Sequence, residues 1–150
     1  QFAVAHWQLF VALMLIVAVI AVAVHLFDAF NKSNHISIKQ WFNRSLKPLE
    51  AFISKVAVTD QISQLTEADI FILAVSDDAI SNLSTQLPFQ DKLVVHTSGS
   101  VGIHDLDKKH RRGVFYPLQT FSKDSEIDFK NVPFCIEAIE KKDLNILKIF

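Results

Sequence analysis

The sequence predicts an α/β chain built on a doubly wound parallel sheet. Two patterns predict it. Short apolar runs alternate with amphipathic segments through the middle of the chain, the order expected of repeated strand–helix–strand units. Small and polar residues recur just beyond three of those runs, at 43–45, 76–78 and 96–100, where open parallel sheets carry their ligands. The 150 residues suffice for one domain with a sizeable core and are too few for two. Half the residues are hydrophobic and 21% are charged, which places the chain among globular rather than disordered proteins. A net charge of −1 offers nucleic acid no attracting field. The single cysteine, Cys135, allows neither a disulfide framework nor a zinc-site spacing and fits a reducing, cytoplasmic setting.

The elements follow in order. Every residue from Leu9 to Val24 is apolar, and no charge comes before Asp28. This run has two readings. One is a membrane span, slightly short of the ~20 residues a helix needs, with Lys32, Lys39 and Arg44 favouring a cytoplasmic C-terminal side. The other is a buried first strand running straight into a buried helix. A secretory signal fits less well, because no basic region precedes the run and no cleavage site follows it. Residues 25–30 (HLFDAF) read as the last turns of a helix ending at the polar NKSNH turn. Residues 36–42 (ISIKQWF) alternate as a strand, 46–55 read as a helix with Pro48 in its first turn, and 56–58 as a brief strand. A short helix is expected within 60–68, capped by Thr59 or Asp60. Residues 70–75 (IFILAV) are continuously apolar, as a strand covered on both faces should be. Ser76, Asp77 and Asp78 then supply capping oxygens for a helix over 79–86, which Pro88 ends. Residues 93–96 (LVVH) form the next strand, 103–109 a short helix, and 113–116 (GVFY) a strand broken by Pro117. Beyond Phe121 a charged stretch precedes VPFCIEA at 132–138.

The cluster after the second strand is the most informative. An acidic residue there holds a ribose 2′-hydroxyl in NAD sites, whereas an arginine suits a 2′-phosphate. Arg44 supplies a guanidinium fork and Ser45 a hydroxyl, beside Asn43. The pattern points to NADP(H); the bland alternative is a solvated arginine after a strand. Val75, Ser76, Asp77 and Thr97 would line the rest of the crevice. After the fifth strand, His96 is a candidate general acid and Ser98 a candidate hydrogen-bond donor to a substrate carbonyl or carboxylate. Their alternative is a strand-terminal histidine bonded to backbone, followed by an ordinary turn. HTSGS lacks the glycine that a G-x-S-x-G nucleophile elbow requires, which sets a hydrolase aside. His104, His110, Asp105 and Asp107 match no metal-site spacing, and the basic run at 108–112 reads as a solvated turn.

Asn43-Arg44-Ser45, AVSDDAI (74–80), HTSGS (96–100), GVFYPLQTFS (113–122) and PFCIEA (133–138) together resemble an uncharacterised oxidoreductase family. Its members carry a Rossmann-like NADP-binding domain followed by a helical domain of unknown function. They are similar in plan to pyrroline-5-carboxylate reductases and deazaflavin-dependent NADP oxidoreductases. The resemblance covers residues 25–150. It implies an apolar N-terminal extension over 1–12, a Rossmann-like domain over 13–117 and the start of a truncated helical domain over 118–150. It also implies a small carbonyl or imine substrate, Tyr116 and Gln119 facing it, and a homodimer formed through the helical domain.

One departure from the family pattern stands out. The first phosphate-binding turn should read Gly-x-Gly-Asn at 18–21, and this chain has Ala18, Val19, Ile20 and Ala21. Those glycines let the backbone approach the pyrophosphate and present helix N–H groups to it. A β-branched Ile20 crowds that approach. The alternatives are an NADP-linked enzyme that binds through an altered turn and a non-catalytic module, the latter tethered by its apolar segment or used for association. Restoring Gly at Ala18 and Ile20 with Asn at Ala21 should strengthen NADPH binding in a fluorescence titration. No gain would show that these residues are not the phosphate turn.

Overall fold

The computed structural model describes residues 9–15, 20–120 and 127–150. The strands are β1 (Leu9–Leu15), β2 (Ile36–Asn43), β3 (Ala57–Thr59), β4 (Ile70–Ala74), β5 (Leu93–His96), β6 (Arg111–Pro117) and β7 (Phe134–Ala138). They lie side by side in one sheet in the order β3-β2-β1-β4-β5-β6-β7. The first six run parallel, and β7 pairs antiparallel with β6. The helices are α1 (Ile20–Asn31), α2 (Asp77–Gln86) and α3 (Lys141–Leu147). The chain winds outward from β1 to β3, returns, and winds the other way from β4. This is the Rossmann-like doubly wound plan, and its winding reverses between β1 and β4.

The apolar strands are buried on both faces because each face carries its own core. Ile70, Ile72 and Ala74 turn to one side, with Trp41, Leu93, Val95 and the α1 residues Ala23, Leu26 and Phe27. Phe71, Leu73 and Val75 turn to the other, with Phe42, Val94 and the α2 residues Ile80 and Leu83. This period-two split explains why β4 reads as a continuous apolar run. Phe27 stacks on Trp41 with ring centroids 5.1 Å apart and meets Phe52 edge-on at 5.2 Å, fixing α1 over β2.

The apolar run at 9–24 is therefore divided between a strand and a helix. Among the described residues no helix is long and apolar enough to cross a membrane. The boundary expected at residue 12 falls inside β1. Within residues 118–150, expected to start a helical domain, Phe134–Ala138 joins the sheet as β7 and α3 packs against the core through Leu147. Arg111 holds α3 through an ion pair from Nη1 to the buried Asp143 Oδ1 at 3.0 Å.

Three expected helices are only short 3-10 turns, at Lys47–Phe52, Ile62–Gln64 and Ile103–Asp105. Tertiary hydrogen bonds outweigh helix propensity at the second and constrain the chain just after the third. The Gln40 side chain accepts the Thr66 N–H at 2.8 Å and donates to the Gln64 carbonyl at 3.1 Å, drawing residues 64–66 against β2. The Asp107 N–H donates to Ser84 Oγ at 2.9 Å. Lys109 Nζ donates to the Thr85 and Leu87 carbonyls at 2.7 and 2.8 Å, satisfying the open end of α2. The buried His110 Nε2 lies 3.0 Å from the Ser84 carbonyl. Part of the basic run is thus a cap for α2 rather than a solvated turn.

Phe27→Ala should lower stability by about 3–5 kcal/mol, as expected for a fully buried aromatic, in chemical denaturation.

Candidate functional site

Strand register gathers the carboxyl ends. Leu15 of β1 pairs with Asn43 on one side and Ala74 on the other, and Leu73 pairs with His96. The residues after β2, β4 and β5 therefore share one edge of the sheet, across the point where the winding reverses. Of the proposed phosphate turn, Ala18 and Val19 lie outside the described residues. Ile20 is the first residue of α1 and Ala21 the second, half-buried.

Asn43 is fully buried. Its Nδ2 donates to the Ser45 carbonyl at 2.6 Å, which folds the chain sharply after β2 and leaves Arg44 and Ser45 exposed. Arg44 makes no ion pair among the described residues. It borders a cleft of about 120 Å³ whose other walls are Phe42, Ile62, Ala79, Asn82, Leu83 and Gln86. An exposed guanidinium beside a partly apolar cleft suits a phosphorylated ribose with its base. The cleft walls from α2 are a feature that sequence reasoning missed; the amphipathic pattern of 79–86 was their signal.

Val75 is buried, and Ser76 is the N-cap of α2. Ser76 caps through its carbonyl, which accepts the Ala79 N–H at 2.9 Å, and not through its hydroxyl as the sequence suggested. Asp77 and Asp78 are exposed in the first turn, where their charge complements the helix dipole.

The segment after β5 is a chain of local hydrogen bonds. The Thr97 N–H donates to the Leu73 carbonyl at 3.3 Å. The Ser98 N–H donates to His96 Nδ1 at 3.2 Å. Ser98 Oγ accepts the N–H groups of Ser100 and Val101 at 3.0 and 3.1 Å. His96 is completely buried, and its Nε2 has no hydrogen-bond partner. Burial pushes the imidazole below its ordinary pKa. The Gly102 carbonyl and the carboxylates of Asp77, Asp105 and Glu137 pull the other way without offsetting it. The two alternatives for His96 thus meet a definite geometry: a neutral ring bonded to backbone. Ser98 likewise spends its acceptor capacity on two amides and keeps only its own hydrogen to donate.

Gly99 is required for space. A Cβ there would stand 2.6 Å from both Cε1 and Cζ of Tyr116, whose ring lies across the loop. A side chain of β6 thus makes a close approach to this glycine. Among the described residues no cluster of His, Cys, Asp or Glu is arranged to hold a metal.

No family model and no curated protein matches the sequence. Among solved structures, the chain superposes with a TM-score of 0.80 and 28% identity on a protein from Bacteroides fragilis described as a "putative NADP oxidoreductase". That match covers 97% of this chain and 57% of the other, so the chain spans little more than half its neighbour's length. A semialdehyde dehydrogenase NAD-binding protein from Cupriavidus necator, in complex with calcium and NAD, superposes with a TM-score of 0.65 at 16% identity, covering 95% of this chain and 58% of that one. A pyrroline-5-carboxylate reductase from Coxiella burnetii gives 0.58 at 22%, covering 89% and 53%. The structural neighbours are Rossmann-like NAD(P) oxidoreductases. The resemblance carried by the motifs therefore extends to three dimensions, and the two more distant neighbours bear on the fold alone.

Gly99→Ala should destabilise the chain by about 1 kcal/mol, the low end of overpacking because the outer ring atoms of Tyr116 can swing aside. In a double-mutant cycle with Tyr116→Ala the two effects should be non-additive, since the second change removes the clash.

Proposed function

We propose that the chain is the NADP(H)-binding domain of a cytoplasmic oxidoreductase that moves hydride to or from a small carbonyl or imine substrate. One observation carries the cofactor preference. At the end of β2, where an NAD site places a carboxylate, Arg44 stands exposed beside the cleft formed by Phe42, Ile62 and α2. Its guanidinium would fork onto a 2′-phosphate with Ser45 adding a hydroxyl, and the cleft would take the adenine face. When bound, the nicotinamide supplies the hydride. The protein orients the dinucleotide along the carboxyl edge, past the start of α2 at Ser76 and Asp77, toward the loop 97–101. His96 and Ser98 would serve by shaping that loop. A substrate pocket completed by a helical domain, with two copies paired through it, is what the family resemblance adds to this reading.

A second reading, a Rossmann-like module without nucleotide binding, rests on Ile20 heading α1 where the family pattern has glycine. Titration with NADPH and NADH in parallel separates the two. The first reading expects saturable NADPH binding that Arg44→Asp weakens by about tenfold or more, the worth of one charge-assisted contact, while NADH binding holds or improves. Wild-type chain that binds neither dinucleotide supports the module. Unchanged NADPH affinity in Arg44→Asp removes Arg44 as the phosphate reader.

A further inference from the structure

We propose that His96 is a positioning residue, a latch whose unprotonated Nδ1 holds the Ser98 amide and whose protonation releases the loop 97–101 from the crevice edge. A neutral imidazole has one N–H and one acceptor nitrogen. Nδ1 receives the Ser98 N–H, so the proton resides on Nε2. A second proton must go to Nδ1, where it opposes the amide hydrogen and breaks the bond.

The break propagates because Ser98 serves two further bonds. Its Oγ holds the Ser100 and Val101 amides, so displacing Ser98 removes three contacts that define the loop. The Tyr116 ring lies against Gly99, and Val101 packs against the core beside α2. The inner side is tied by the Thr97 amide to Leu73 of β4.

The surroundings decide when this happens. The charged groups acting on the ring are Asp77 at the start of α2, Asp105 in the turn after β5 and Glu137 on β7. None makes an ion pair with it. β4 presents the apolar Leu73 as its paired residue. Complete burial outweighs the three carboxylates, so the neutral ring persists below the ordinary histidine range. The sign follows. A depressed folded pKa favours the folded, latched state above the unfolded value of about 6.5, and this contribution is lost as pH falls through the folded value.

The latch itself stands on the loop geometry; its effect on the cofactor rests on the function proposed above. The experiment is nitrogen-15 NMR of the labelled chain across a pH titration, with amide hydrogen exchange and NADPH titration on the same samples. Near neutral pH the His96 ring should be protonated on Nε2 alone. Protection of the Ser98, Ser100 and Val101 amides should collapse as the ring titrates, after correction for intrinsic exchange. His96→Asn, whose Oδ1 takes the place of Nδ1 but does not titrate, should keep that protection to lower pH. His96→Gln, with its polar end at the Nε2 position, should lose it at every pH. A ring protonated on Nδ1, or amide protection indifferent to the ring's charge, overturns the proposal, and the wild-type titration decides this even if neither variant folds. NADPH affinity should fall with the same pH midpoint; affinity that ignores it overturns the coupling to the cofactor. Absence of NADPH binding at every pH refutes the proposed function and its coupling, while the NMR and exchange data still decide the latch.

Discussion

Everything at the functional edge depends on β1 pairing with β2 and β4 at once. A right-handed strand–helix–strand crossover can leave a parallel strand on either side. This chain goes one way for β2 and β3 and the other way for β4, β5 and β6. The helices that follow β1 and β4 therefore pack on opposite faces, α1 with Trp41 and Ile72 and α2 with Phe42 and Leu73, and in such sheets a gap opens between them. Because Leu15 is in register with both Asn43 and Ala74, the gap is flanked by the chemistry of two separate windings. No local sequence motif creates that juxtaposition; the register does.

Polar side chains around this edge work mainly on backbone. Gln40 ties residues 64–66 to β2, Asn43 turns the chain to expose Arg44, and His96 with Ser98 organises the loop after β5. Each satisfies main-chain groups that a loop at a strand end leaves open. The cost of burying an amide or an imidazole is offset only in part by the hydrogen bonds it makes, since Asn43 Oδ1 and His96 Nε2 find no partner. Rigid loops at the crevice are the return, since a site held by fixed hydrogen bonds needs little reorganisation when a ligand arrives.

The sheet was legible in the sequence because its strands are covered on both faces, so β4 and β5 stand out as unbroken apolar runs between breakers. The 3-10 turns after β3 and β5 were read as helices because their composition permits helix, while tertiary contacts to Gln40 and Ser84 decide otherwise. β7 went unassigned although Phe134, Cys135, Ile136 and Glu137 alternate half-buried and exposed, the mark of an edge strand. At the site, Arg44 was legible from its place after a strand. The groove beside it was not, because Ile62, Asn82 and Gln86 arrive from two other elements. His96 drew attention by its residue type, but a bond from its ring to an amide two residues ahead depends on loop backbone that no composition encodes.

The altered residues at the head of α1 separate folding from binding. Glycines at a phosphate turn serve the ligand, by letting backbone come close to it, and add little to the packed core. What seats α1 is Ala23, Leu26, Phe27 and Phe30, all buried against β2 and β4, with Phe27 stacked on Trp41. These begin three residues beyond Ile20. A chain can therefore lose its glycines and keep the helix, the sheet and the crevice geometry. Selection for the fold does not protect the turn, and selection for dinucleotide affinity does not protect the aromatic stack. The Rossmann-like architecture here is consequently evidence for where a dinucleotide would lie. On the function proposed above, how tightly one is held would depend on the few residues between Leu15 and Ala21 and on the exposed guanidinium of Arg44.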